Sequence, residues 1–84
     1  YEAMAMFFFH TENGRICRDA EGTELPDLRS ARNEALVVLA QIVREDPDQF
    51  WRDRNFRLTV TDGAGLVLYL LDLSGISSPG ACGA

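Results

Sequence analysis

A single helix pattern limits the folds open to this chain. Between residues 28 and 43, six apolar residues recur at helical spacing, and these are Leu28, Ala31, Ala35, Val38, Leu39 and Ile42. Asp27 is placed to cap the first turn, and Asp46-Pro47 predicts the helix end because Pro47 has no N–H to donate. We expect Asp46 to cap one further turn that begins at Pro47. Since one helix covers only one face of a sheet, the other face stays open.

Two extended segments precede the helix. Residues 4–10 are apolar and aromatic, and Asn13-Gly14 is a strong signal for a tight hairpin turn. A second strand is therefore predicted over residues 15–18. The acidic stretch that follows is predicted to be a polar loop, which Asp19 or Glu24 anchors by accepting backbone N–H groups.

A second hairpin follows the helix. Phe56, Leu58 and Val60 alternate with polar residues, which predicts a half-buried strand. Residues 66–73 are apolar on both faces up to Asp72, a pattern typical of a central strand or of one covered on both sides. The predicted fold class is α+β, with the order β-β-α-β-β and a four-stranded antiparallel sheet that carries one helix on one face.

The predicted domain covers residues 4–73. Residues 74–84 are rich in Gly and Ser and are predicted to form a flexible C-terminal tail. The chain begins with Tyr1 rather than methionine, so we expect Met4 to be the biological start and leave residues 1–3 out of the fold prediction.

Charge and composition favour some classes of protein over others. The formal net charge is −5 and every basic residue is arginine, so the bulk electrostatics oppose nucleic-acid binding. No apolar run approaches the roughly 18 residues that span a bilayer, so no membrane contact is expected. Two cysteines, Cys17 and Cys82, are too few for a disulfide scaffold. We predict a soluble, cytoplasmic protein.

Three blocks of the sequence resemble a known family. They are "FFFH", "DAEGTELPDLRSARNEA" and "FRLTVTDGAGLVLYLL". The family consists of small bacterial proteins known only as a domain of unknown function, with the patterns Y-F-F-H, D-x-E-G-x-E-L-P-D, A-x-x-E-A and V-T-D-x-x-G. Phe7 stands where its pattern has tyrosine. The likeness covers residues 6 to about 71 and implies a stand-alone small domain, without assigning an activity, a cofactor or a catalytic residue.

One pair of residues has reactive potential. If Asn13 and Gly14 alone form the turn, His10 faces Cys17, and an imidazole beside a thiol can activate a nucleophile or begin a metal site. A structural zinc site requires more ligands than this pair supplies, and the acidic loop does not match a calcium-binding pattern. The simpler interpretation is that His10 is structural, its ring hydrogen-bonded near the loop that leads to the helix. We therefore expect no enzymatic activity, no cofactor and no metal.

An arginine cluster supports an alternative function. Arg52, Arg54 and Arg57 are interleaved with aromatic residues, a composition found in nucleic-acid-binding patches. The net acidity of the chain argues against this alternative, and a solvated surface with the aromatic residues in the core explains the same composition.

The leading hypothesis is a non-enzymatic interaction module. The first and last strands carry apolar residues on both faces, in a domain too small to cover both, and such surfaces often mark interfaces. We expect a homodimer, with a protein partner as a further expectation, formed through the helix-free sheet face or an exposed strand edge. The predicted interface residues are Phe8, Tyr69 and Leu71.

Overall fold

The computed structural model describes residues 4–81, which form a mixed α+β domain. The strands are β1 (Ala5–Glu12), β2 (Ile16–Cys17), β3 (Thr23–Leu25), β4 (Asn55–Thr61) and β5 (Val67–Ser74). The helices are α1 (Leu28–Glu45) and α2 (Pro47–Asp53), and a short 3-10 helix spans Pro79–Ala81.

The described strands form one antiparallel sheet in the order β2-β1-β4-β5, and β3 also pairs with β1. Along one edge of β1, its start pairs with β3 and its end pairs with β2. Along the other edge, residues 8–12 pair with β4, and β4 in turn pairs with β5. Strand β5 therefore lies at an edge of the sheet.

The hydrophobic core lies between α1 and one face of this sheet. Strand β4 supplies its most deeply buried large side chains, Phe56, Leu58 and Val60. Ala31 and Ala35 are the buried residues of α1, and their small side chains let the helix lie close to the sheet. The alternation predicted for β4 is confirmed. The middle of the stripe predicted for α1 faces the core, but its two ends do not, because Leu28 and Ile42 are exposed by 51% and 36%.

Side-chain caps set the ends of the helices as expected. The Asp27 carboxylate accepts the Ser30 N–H at 2.8 Å, which satisfies one of the unpaired donors of the first turn of α1. Asp46 accepts the Gln49 N–H at 3.2 Å and caps α2, whose first residue is Pro47. These caps were predicted from the sequence and are confirmed.

The first hairpin differs from the prediction by one residue. Glu12 pairs with Ile16 and Thr11 pairs with Cys17, so three residues form the turn instead of two. Gly14, at the middle of the turn, has a positive φ of 84°. Because side chains alternate between faces, this shift places Cys17 on the face opposite to that of His10. The predicted pairing of His10 with Cys17 is therefore wrong.

Two further features of the sheet differ from the sequence prediction. Residues 23–25, expected to be loop, form β3 and pair with residues 5–7, because the exposed edge of β1 offers unpaired backbone groups there. The last strand, expected to be central or doubly covered over residues 66–73, spans Val67–Ser74 and is the edge strand β5. The predicted fold class is confirmed, with β3 added to the four predicted strands.

After β5 the chain turns back toward α2. The Gly75 N–H donates to the Arg54 carbonyl at 3.0 Å, and Gly75 lies close enough to the Phe50 and Trp51 rings that a Cβ there would clash with both. The Arg54 guanidinium donates to the Ser77 hydroxyl at 3.1 Å. Cys82 and residues 1–3 lie outside the described residues.

Candidate functional site

Asp19 holds the loop after β2 against the edge of β1. One carboxylate oxygen accepts the Phe9 N–H at 3.1 Å, at the point where β1 passes from its β3 partner to its β2 partner. The other oxygen accepts the Glu21 and Gly22 N–H groups, each at 3.1 Å. The carboxylate thus supplies the acceptor that a partner strand would otherwise give to β1, which confirms the expectation that Asp19 anchors the loop.

These hydrogen bonds set the protonation of Asp19. Partial burial acts to raise the pKa of this carboxyl group, but the N–H groups of Gly22, Phe9 and Glu21 together outweigh it, and His10 adds a smaller electrostatic contribution. The net result is a pKa below the ordinary value, so the carboxylate is charged at neutral pH.

His10 joins the same loop to β4. Its Nδ1 accepts the Asp19 N–H at 3.0 Å, so in the neutral ring the proton lies on Nε2. Nε2 is 3.1 Å from the Thr61 hydroxyl oxygen, to which it donates. The ring also stacks on Phe8, with 6.4 Å between the centroids and 6° between the planes. Both ring nitrogens have partners, which fits the structural role expected for this histidine.

Gly22 brings the loop down onto the helix-free face of the sheet. Its φ is 76°, and a Cβ at this position would lie 2.8 Å from Phe8 Cε2 and 2.9 Å from Met6 Cε. The loop therefore covers part of the apolar surface that the sequence assigned to the open face. Phe8 is half-buried as a result.

A shallow groove of about 290 Å³ lies on the same face, beside the His10–Thr61 hydrogen bond. Arg18 and Arg57 line it together with these two residues. Arg57 forms an ion pair with Asp72 at 3.4 Å, and both side chains are nearly half exposed. Of the groups that line the groove, His10 and Thr61 therefore bind each other, and Arg57 is paired with Asp72 next to it.

The residues predicted for an interface lie on different faces. Phe8 is on the helix-free face, whereas Tyr69 and Leu71 are on the helix side, where they are half-buried and pack against the core. Leu70, exposed by 50%, lies between them on the helix-free face of β5. The three predicted residues do not form one surface, but Tyr69 and Leu71 share the edge strand β5.

The three arginines of the alternative function belong to different elements. Arg52 is on α2 and donates to the Gln49 side chain at 2.6 Å, while Arg54 is the C-cap of that helix. Arg57 lies on β4 and pairs with Asp72 on β5. Each guanidinium is thus held by a different neighbour.

Within residues 4–81, the backbone groups on the outer edge of β5 have no partner strand. Ser74 pairs with Asn55, and the next residue, Gly75, donates its N–H to the Arg54 carbonyl. Since backbone groups alternate along a strand, those of residues 71 and 73 face β4 and those of Leu70 and Asp72 face away from the sheet. Sequence reasoning missed these two residues, because it placed β5 inside the sheet.

Within residues 4–81, no three His, Cys, Asp or Glu side chains come together in a way that could hold a metal ion. The helices of this part of the chain include none that is long and apolar enough to cross a membrane. Cys17 is exposed and is not in a disulfide.

Comparison with known proteins gives one result. No curated protein and no solved structure matches the chain. A family model described as a domain of unknown function, DUF6894, matches residues 6–74, which is most of the chain and agrees with the resemblance inferred from its sequence blocks. The chain therefore belongs to the DUF6894 family.

Proposed function

We propose that this domain is a non-enzymatic interaction module that self-associates through the free edge of β5. The observation that carries the proposal is that no strand among the described residues pairs with the outer edge of β5, which is eight residues long. Exposed strand edges tend to pair with another strand, and natural proteins usually protect them with lysine, proline or a covering segment. In β5 the one charged side chain, Asp72, is already paired with Arg57.

The side chains of β5 support the same proposal. Val67 and Leu70 are exposed by 54% and 50%, and Tyr69 and Leu71 are half-buried on the helix side. A second strand laid along β5 would cover apolar surface on both faces and satisfy the outward backbone groups at the same time. A domain of this size gains more from such burial than a large one, since its own core is thin.

A second copy of the chain is the occupant that we propose. When the two copies separate, a protein partner with an extended segment would bind to this same edge of β5 by adding a strand. A cytoplasmic location belongs to the proposal as well, because the exposed thiol of Cys17 suits a reducing compartment. The nucleic-acid alternative has less support, since Arg52, Arg54 and Arg57 each bind a different neighbour.

The test is the solution mass of the full chain by light scattering over a concentration series, compared with two variants. Leu70→Pro removes an N–H that faces away from β4, so it blocks strand addition and leaves the internal ladder intact. Leu36→Ser is the control, because it removes a leucine of similar exposure from α1. We expect the unmodified chain and Leu36→Ser to be dimers by light scattering. Leu70→Pro should be a monomer by light scattering and should remain folded by circular dichroism. A monomer at every concentration, or a Leu70→Pro dimer, would contradict the proposal.

A further inference from the structure

We propose that two copies of the chain pair their β5 strands antiparallel, with the two-fold axis passing between the two Leu71 residues. This inference rests on the proposed self-association and adds its register. The result is one continuous sheet with α1 of both copies on the same face. The direction of the backbone groups, the face on which each side chain lies and the charge of Asp72 together determine this register.

The backbone limits which residues can bond across the axis. In the regular part of β5, the backbone groups that face away from β4 and can meet a partner strand are those of Leu70, Asp72 and, at the end of the strand, Ser74. In antiparallel strands, directly opposite residues also point to the same face. A two-fold axis must then pass between two copies of one residue, and the candidates in the middle of the strand are residues 70, 71 and 72.

Charge excludes the axis at residue 72. Two Asp72 side chains would face each other directly on the helix-free face, and like charges directly opposite are destabilising. With the axis at residue 71, Asp72 instead faces Leu70 of the second copy. Asp72 can then keep its own ion pair with Arg57 and the hydrogen bond that it accepts from Asn55 at 2.7 Å.

An irregularity in the pairing of β4 with β5 distinguishes the two remaining axis positions, which are residues 70 and 71. The register between β4 and β5 shifts between Val60 and Thr61, opposite residues 67–69 of β5. An axis at residue 70 would pair Leu68, within that irregular part, with Asp72. An axis at residue 71 keeps the pairing within residues 69–73, where the strand is regular.

The register at residue 71 also joins the apolar side chains of the two copies. On the helix side Leu71 meets Leu71, and Tyr69 meets Leu73, and all of these residues pack against the core of their own copy. Leu70 of one copy and Asp72 of the other lie opposite each other, with their side chains on the helix-free face, and exchange two backbone hydrogen bonds. The core of one copy thus continues into the core of the other.

Cysteine cross-linking tests this register in the full chain. Cys17→Ser and Cys82→Ser remove the native thiols, and Leu71→Cys or Leu70→Cys is then added to that background. Opposite residues that are not hydrogen-bonded to each other lie about 4.5 Å apart at Cα, within the range that a disulfide bridges. Under the proposed register, the Leu71→Cys side chains of the two copies form such a pair. In Leu70→Cys, the new cysteine lies opposite residue 72 of the second copy, so the two cysteines are two residues apart along the strands and too distant for a disulfide.

We expect Leu71→Cys to form a covalent dimer on mild oxidation at least tenfold faster than Leu70→Cys. A mixture of Leu70→Cys and Asp72→Cys chains should also form the mixed disulfide, which tests the register without altering Leu71. Faster cross-linking of Leu70→Cys would overturn the register. A dimer by light scattering in which neither single variant nor the mixture cross-links would overturn the β5 interface. A chain that is monomeric by light scattering would overturn the proposed function itself.

Discussion

Asp19 gives the most specific stability prediction. Replacing it with alanine leaves the Phe9, Gly22 and Glu21 N–H groups without the carboxylate that accepts them at 3.1 Å. The Phe9 N–H is partly buried and costs about 1–2 kcal/mol when unpaired, the Gly22 N–H about 0.5–1 kcal/mol, and the exposed Glu21 N–H little, because water replaces the lost bond. We therefore expect Asp19→Ala to lower the free energy of unfolding by about 2 kcal/mol.

In a domain of this size such a loss lowers Tm by about 8–16 °C. The assay is urea or thermal unfolding followed by circular dichroism, at one fixed protein concentration because association adds to apparent stability. Glu21→Gln is the matched control, since only the backbone of Glu21 takes part in the network. A loss below about 0.5 kcal/mol in Asp19→Ala, which is typical of a surface substitution, would refute the reasoning.

The same carboxylate predicts a pH dependence. Its pKa is lower in the folded state than its ordinary value, so its stabilising effect is complete above the pKa of the unfolded chain and is lost as pH falls through the folded-state pKa. Asp19→Asn cannot lose a charge, and its amide can accept the loop N–H groups or the Phe9 N–H but not both. The stability difference between the unmodified chain and Asp19→Asn should therefore shrink below about pH 4. An equal difference at pH 7 and at acid pH would show that the charge is not involved.

Three other predictions concern the core, the loop and the ring. Gly22→Ala should destabilise the domain by about 2 kcal/mol, because φ is positive at Gly22 and Phe8 and Met6 occupy the space that a Cβ would need. Gly63→Ala is the control and should have little effect, because a Cβ at Gly63 would meet no atom within 4 Å. Equal Tm values for the two variants would contradict this prediction. Leu58→Ala should cost about 2–5 kcal/mol in chemical unfolding, and a loss below about 1 kcal/mol would mean that its site is not part of the core. Long-range ¹H–¹⁵N NMR at neutral pH should place the proton of the neutral His10 ring on Nε2, and a proton on Nδ1 would be incompatible with the Asp19 hydrogen bond.

The helices and β4 could be predicted because their signals are local. Asp27 and Asp46 cap helices within a few residues of themselves, and the apolar spacing of α1 lies within one segment. The alternation of Phe56 and its neighbours likewise needs no knowledge of the partner strands. For such elements a short window of sequence contains most of the physical information that determines the structure.

The pairing of the strands could not be predicted in the same way. Strand β3 has only three residues, mostly exposed, and forms because the edge of β1 lacks partners there. The turn at Gly14 accommodates two or three residues, and the choice of three moves Cys17 to the other face from His10. The apolar composition of β5 is compatible with a central strand, and only the pairing of β1 with β4 makes β5 an edge.

The candidate site was predictable in part for the same reasons. Asp19 was expected to anchor the loop and His10 to be structural, since both follow from their side-chain chemistry. Leu70 and Asp72 were missed because a free edge is a property of the whole sheet. Tyr69 and Leu71 were chosen for their apolar character, and the structure gives them an additional feature, which is their position on the edge strand.

Amide hydrogen exchange at Leu70 and Asp72 tests the central claim most directly. Both N–H groups face away from β4, and residues 4–81 supply no partner strand for them, so a strand of a second copy would be their partner. Leu71, whose N–H faces β4, is the internal reference. We expect the Leu70 and Asp72 amides to be protected at high protein concentration and to exchange rapidly on dilution, while Leu71 stays protected throughout. Rapid exchange of Leu70 and Asp72 at every concentration would contradict self-association through the edge of β5.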